Sequence, residues 1–228
     1  QTRRFRQYLD ANGLIRTLSE KMEDTPLLKE LQGGRILSFQ QCWTPHKEAT
    51  EEFLGLADEK TLRSDGKVHI HLPHRDVAAA IGLAKSWGMQ RGVFNLRGTW
   101  HGGYDENHPD IWPREPGLGS LEELKAIVDQ DGPYLTVLHD NYQDMYPRTS
   151  SFPHGVVRRR NGELLHGGYW HGGLCYITCT EFQRRYAERN WKQIRQLNPS
   201  GCFVDTAACV QFYQCWDPEH PMTRAQDR

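Results

Sequence analysis

With 228 residues the chain has material for one large domain or two small ones and for a sizeable core. Lys and Arg number 28 against 29 Asp and Glu, a balance that argues against nucleic acid or an anionic membrane as partner, since binders of either carry a basic surplus. An uncharged partner fits better: many of the 7 Trp, 9 Tyr and 8 Phe fall in Gly-rich polar stretches, the composition of a carbohydrate-binding cleft in which rings stack on apolar sugar faces.

Residues 1–32 read as a lead-in that carries Arg3, Arg4 and Arg6 and ends in a short helix from Thr25, with Pro26 at its first position and Gly33 past its end. Residues 35–43 read as the first strand, stopped by Pro45. A polar stretch with Glu48, Glu51 and Glu52 follows, and residues 67–72 then alternate like a short strand or extended loop. Val77, Ala80, Ile81, Ala84 and Trp87 have the spacing of an amphipathic helix over 75–87. Residues 92–97 are the second strand, which opens into a long loop over 98–119. Ser120 and Glu123 form a capping box that starts a helix through Val128. Residues 133–139 are the third strand, with Asp140 at its tip. The insertion over 141–179 carries the Asn161-Gly162 signal of a tight hairpin. Residues 180–197 read as a helix with Thr180 as N-cap and Asn198-Pro199 as the stop. Last comes the apolar run 200–208, read as a buried strand that delivers Asp205 to its C-terminal tip.

Strand and helix alternate, which implies parallel pairing. The fold class expected is α/β, a (β/α) TIM-type barrel over residues 33–228 of which about four units, the N-terminal half, are present, with an open doubly wound sheet as the other solution. The long excursions follow strands and the returns from helix to strand are short, the asymmetry of a fold whose function sits on one rim. Gln40-Gln41-Cys42-Trp43 after the first strand is no Gly-rich phosphate turn, and a P-loop is absent.

Carboxylates on a common rim suit glycoside cleavage, in which an ionised one attacks or stabilises the anomeric carbon and a protonated one assists the leaving group. Asp205 is the candidate for the first role. Asp140, with Asn141 and Tyr142, is placed to hold sugar hydroxyls, or alternatively starts a loop as an Asx turn. The stretches 97–105 and 166–173 share Trp-His-Gly-Gly, so Arg97, Trp100, His101 and Trp170 join Trp43 and His139 as candidate cleft residues. The competing reading is a metal-dependent barrel hydrolase, with His69 and His71 on one strand face joined by His139 and Asp205. A non-catalytic carbohydrate-binding module is the third.

The expected site holds no metal and no cofactor. Cys42, Cys175, Cys179, Cys202, Cys209 and Cys215 include no C-x-x-C pair and lack zinc-site spacing with histidines, so free thiols are expected, with Cys42 and Cys202 buried in strands. No run approaches the ~18 apolar residues of a membrane span, and no signal peptide is present. The chain begins at Gln1 and reads as an excerpt of a longer protein, so the compartment stays open, cytoplasmic being favoured over secreted.

Residues 138–146 (Leu-His-Asp-Asn-Tyr-Gln-Asp-Met-Tyr), Phe203-Val204-Asp205, residues 215–224 (Cys-Trp-Asp-Pro-Glu-His-Pro-Met-Thr-Arg) and the opening Leu18-Ser19-Glu20-Lys21 resemble the catalytic barrel of glycoside hydrolases of the endo-α-N-acetylgalactosaminidase type and their uncharacterised bacterial relatives. The resemblance implies a retaining α-glycosidase, with Asp205 as nucleophile and Asp140 as a substrate-binding residue. It further implies an acid/base Glu on a later strand, beyond this chain. Glu219, the nearby Glu, matches no such position, so the rest of the barrel is expected C-terminal to residue 228 and this portion alone is expected to be inactive.

Overall fold

The computed structural model describes residues 2–45, 67–130, 132–207 and 209–227, so the polar stretch with Glu48, Glu51 and Glu52 lies outside the described residues. The lead-in folds as two helices, α1 (Thr2–Ala11) and α2 (Leu18–Asp24), and a 3-10 turn at Pro26–Leu31 where the Thr25-Pro26 signal stands. A capping box of Thr17 and Glu20 opens α2.

The first predicted strand is broken in two. β1 spans Arg35–Gln40, and β2, Cys42–Trp43, pairs antiparallel with β3, His69–Ile70. Gln41 makes the break: its N–H donates to the Arg97 carbonyl (2.8 Å) while its own carbonyl accepts from the His71 (2.8 Å) and Leu72 (3.1 Å) amides. The chain thus leaves one sheet and ties down the 67–72 segment.

Helix α3 (His74–Ser86) buries Val77 and Ile81, and strand β4 is Gly92–Arg97. The predicted capping box opens α4 (Leu121–Val128): the Glu123 amide donates to Ser120 Oγ (3.1 Å) and the Ser120 amide to Glu123 Oε2 (2.6 Å). Strand β5, Tyr134–Asn141, runs past its predicted end, because Asp140 and Asn141 still pair with Val204 and Asp205.

The long insertion is more ordered than a loop reading implies. β6 (Asp144–Met145), β7 (His166–Trp170) and β8 (Gly173–Ile177) form an antiparallel sheet in the order β6-β8-β7. The Asn161-Gly162 turn forms, with the Arg159 amide donating to the Glu163 carbonyl at 2.7 Å. Helix α5 is Thr180–Ile194, and Cys179, not Thr180, occupies its N-cap. The Thr180 hydroxyl is not free to cap, since it donates to Asp227. A 3-10 turn extends the helix to Leu197, and Asn198, in the left-handed region at φ 54°, ends it.

The last strand, β9 (Gly201–Asp205), completes a parallel sheet in the order β1-β4-β5-β9. This is the alternating α/β layer that the sequence implies, but the sheet is open: among the described residues no barrel closes. The core lies on β4 and β5, where Phe94, Leu96 and Leu138 pack with Val77, Ile81, Leu124, Ile127 and Ile194. A second apolar cluster joins the antiparallel sheet to α5 and to residues near the C-terminal end through Met145, Ile177, Phe182, Cys215 and Met222.

The expectation of a buried last strand fails. Phe203 and Val204, on opposite faces of β9, are 44% and 42% exposed. An apolar run is buried on both faces only when layers cover both, and among the described residues β9 is an edge strand with β5 as its neighbour. No helix among the described residues is long and apolar enough to cross a membrane.

Candidate active site

Asp205 closes β9 directly opposite Asn141 of β5 and keeps a third of its side chain accessible. The Tyr104 hydroxyl donates to its Oδ2 at 3.2 Å, His139 Nε2 stands 3.4 Å from the same oxygen, and the Thr206 amide donates to Oδ1 at 2.9 Å. The hydrogen bond from His139 leads the causes that hold the carboxyl down at about 2, against partial burial. Burial, joined by the neighbouring His108, lowers His139 against the pull of Asp205 and Asp140. The pair is therefore a neutral imidazole donating from Nε2 to a carboxylate at neutral pH.

Replacing His139 by Phe keeps a ring against Tyr104 and Phe203 but removes the donor. The Asp205 pKa is then expected to rise from about 2 to or above its ordinary 3.8. Because the native value is depressed, the stability this carboxylate contributes is present above its unfolded pKa and is lost as pH falls through the folded one. The His139→Phe variant is expected to lose that contribution at neutral pH and to show a flatter stability profile between about pH 4 and pH 2. Urea midpoints across that range, with NMR titration of the Asp205 carboxyl carbon, check it; an unmoved titration would show that His139 does not set this charge.

Rings extend from this carboxylate in a connected row. Tyr104 lies 4.8 Å from His139 and 5.2 Å edge-on from His171, which lies 5.2 Å from Trp43, and Trp43 stacks on His71 at 6.3 Å. Arg97, at the end of β4, sets its guanidinium 4.5 Å over the Tyr104 ring. Two glycines allow the close approach. Gly103, at φ +91°, puts its α-carbon where a Cβ would run into the backbone of Cys42 and Trp43, and a Cβ on Gly172 would run into the Asp105 carbonyl and the Tyr146 ring. The two Trp-His-Gly-Gly stretches thus meet the same wall, one from the loop after β4 and one from the β7–β8 turn.

The remaining predicted residues divide. Asp140 is fully buried: its Oδ1 accepts from the Asn141 amide at 3.0 Å, its Oδ2 from the Tyr142 hydroxyl, and His108 Nδ1 stands 3.1 Å from Oδ1 as a charge contact rather than an aligned hydrogen bond. Burial works against the His108 imidazolium, but the Asp140, Asp105 and Asp144 carboxylates outweigh it and raise the pKa. The Asx turn belongs to Asn141, whose Oδ1 accepts from the Gln143 (3.0 Å) and Asp144 (3.1 Å) amides. Trp170 is half-buried on β7, next to His171. Trp100 is 2% exposed in the main core and His101 turns outward to Glu115, 3.6 Å away, so neither stands with Asp205. His69 and His71 do not gather with His139 and Asp205 into a metal-ligating group among the described residues.

Sequence reasoning names the stretches that hold Tyr104, Asp105 and His171 without singling these residues out, and it misses His108. Asp105 sits at φ 59° with Oδ1 unpartnered among the described residues, and burial, helped by Asp144 and Asp205 and opposed by His108 and Arg97, pushes its carboxyl up to about 7. The arrangement pairs one accessible, firmly ionised carboxylate with a buried, readily protonated one behind it. Carboxylates driven apart in this way are characteristic of acid/base sites.

The fold and site define an α/β domain whose strand ends carry carboxylates, imidazoles and indoles on long loops. No family model matches the sequence, and no curated protein matches it. Among solved structures the chain is similar to the α-N-acetylgalactosaminidase NagBb from Bifidobacterium bifidum. In its complex with GalNAc the TM-score is 0.85 at 23% identity, covering 99% of this chain and 36% of that one. The ligand-free form gives 0.84 at 23% identity, covering 98% and 37%. The likeness is one of fold, and the chain spans little more than a third of the length of NagBb.

Proposed function

We propose that this chain is the N-terminal half of the (β/α) barrel of a retaining glycosidase that acts on α-linked N-acetylgalactosaminides, with Asp205 as the nucleophile. The observation that carries the reading is Asp205 itself: a carboxylate at a strand end, accessible on one side, held ionised by His139 and Tyr104, beside a row of rings. Asp205 attacks the anomeric carbon while the glycosidic oxygen leaves with a proton from an acid, and water then displaces the carboxylate from the glycosyl-enzyme. Asp105 is 5% exposed and too enclosed to reach the departing oxygen, so the acid comes from a strand beyond the open edge of β9. Trp43, Arg97 and Trp170 face the sugar in this reading, while Asp140, fully buried against the Asn141 amide, Tyr142 and His108, supports the site from behind without touching the sugar. The resemblance of residues 138–146 and the similarity to NagBb support the sugar class.

The test uses the full-length protein and p-nitrophenyl α-N-acetylgalactosaminide, with proton NMR following the first sugar released. Expected is the α-anomer first, mutarotating later. Release of the β-anomer first, or hydrolysis of other α-glycosides but not this one, removes retention or the sugar class respectively.

A further inference from the structure

The segment Cys215-Trp216-Asp217-Pro218-Glu219-His220-Pro221-Met222 takes no part in the site around Asp205. It folds back on itself as a small hairpin: the Cys215 amide donates to the Met222 carbonyl at 2.8 Å and the Met222 amide returns the bond at 3.0 Å. The hairpin sets Cys215 and His220 against Cys179, the N-cap of α5. Their ligand atoms, two Sγ and one imidazole nitrogen, lie within 4.8 Å of one another, with 3.4 Å from Cys215 Sγ to His220 Nδ1. Ligands around a tetrahedral zinc, at bond lengths of about 2.3 Å to sulfur and 2.0 Å to nitrogen, stand roughly 3.5–3.8 Å apart. Closing this triad onto an ion takes movements of an ångström or less.

We propose that Cys179, Cys215 and His220 form a zinc site that clasps the 215–222 hairpin to the start of α5. Three features beyond proximity carry the assignment. All three side chains are buried: Cys179 is 0% and Cys215 3% exposed, and the His220 side chain 8%. Cys215 Sγ already accepts a backbone donor, the Arg158 amide at 3.3 Å.

The third feature lies on the far side of the imidazole. His220 Nε2 stands 3.6 Å from Asp217 Oδ2, which also accepts from Arg158 Nε at 2.9 Å. A histidine whose other ring nitrogen faces a carboxylate is the usual second shell of a metal ligand, fixing the tautomer that leaves Nδ1 free to bind. Two thiolates and an imidazole, with no carboxylate among the three, select a soft ion over calcium or magnesium. The fourth position faces a cavity of about 390 Å³, where Met222 Sδ lies 3.7 Å from Cys179 Sγ. Either that thioether or a water completes the tetrahedron.

The test takes the full-length protein, purified reduced, loaded with one equivalent of zinc and dialysed. Elemental analysis is expected to find one zinc per chain, and the cobalt form a near-ultraviolet thiolate charge-transfer band with intense visible bands of tetrahedral geometry. Cys215→Ser and His220→Gln should lose the tightly held ion, and Asp217→Asn should weaken it by about 10- to 100-fold. If Cys215→Ser fails to fold, the other two variants, checked by circular dichroism, decide. Trace zinc in the wild type, equal uptake by His220→Gln, or a Cys179–Cys215 disulfide with no uptake after reduction would each overturn the assignment. The readout is metal content and spectrum, so it stands apart from any loss of glycosidase activity.

Discussion

Asp205→Asn in the full-length protein is expected to lower kcat/KM for an aryl α-N-acetylgalactosaminide by about 10⁴-fold, roughly 5.4 kcal/mol of barrier. The amide is isosteric: its oxygen can still accept from the Thr206 amide, its NH2 can donate to the Tyr104 hydroxyl turned to accept, and the Asn141 pairing holds the β9 terminus in place. Circular dichroism should therefore stay at wild-type values, and the melting temperature should fall only by the contribution the depressed Asp205 carboxylate makes at neutral pH, while turnover goes. What the amide lacks is the negative charge and lone pair that form the glycosyl-enzyme ester. A second variant separates nucleophile from electrostatic support. Asp205→Gly opens the face from which the carboxylate attacks, and added azide should then displace the aryloxide and give the β-glycosyl azide, one C–N bond formed as one C–O bond breaks. Wild-type rates in Asp205→Asn would remove Asp205 from the mechanism, and a Gly variant that azide does not rescue would leave it an electrostatic role only.

The parts of the fold that could be read from sequence are those set by local chemistry. The Ser120/Glu123 capping box, the Pro26 and Asn198 punctuation and the apolar run 92–97 all stand where they were expected, because each is decided within a few residues. The break at Gln41 is decided by hydrogen bonds to Arg97 and His71, far along the chain, and leaves no local mark. The exposure of Phe203 and Val204 is a matter of which layers cover β9, which its own residues cannot carry. The site divides likewise. Asp205 is legible as the end of an apolar run, whereas Tyr104, Asp105 and His171 stand out only when the loop after β4 and the β7–β8 turn are seen to converge. The nearness of Cys179, Cys215 and His220 is invisible to spacing for the same reason, since a hairpin brings them together.

Trp100→Ala is expected to cost about 3–5 kcal/mol of folding stability, the range for emptying a buried tryptophan site. That is a large fraction of the roughly 5–15 kcal/mol that holds a domain together. At about 2–4 °C per kcal/mol for a chain of this size the melting temperature falls by about 6–20 °C. Trp100 is 2% exposed among Phe94, Leu96, Leu138 and Ile111, and its Nε1 donates to the His139 carbonyl at 3.0 Å. That bond fastens the loop after β4 to the end of β5 at His139 itself, the residue whose ring holds Asp205. Trp100→Phe retains most of the apolar contact but leaves the carbonyl unsatisfied, a smaller loss of about 1–3 kcal/mol. The pair of variants tells a core role from the sugar-stacking one read from the Trp-His-Gly-Gly motif. A stacking platform would raise KM at an unchanged melting temperature, while a core residue lowers the melting temperature in the order Phe then Ala, with KM in the Phe variant near wild type. A wild-type melting temperature in Trp100→Ala would place the indole outside the core.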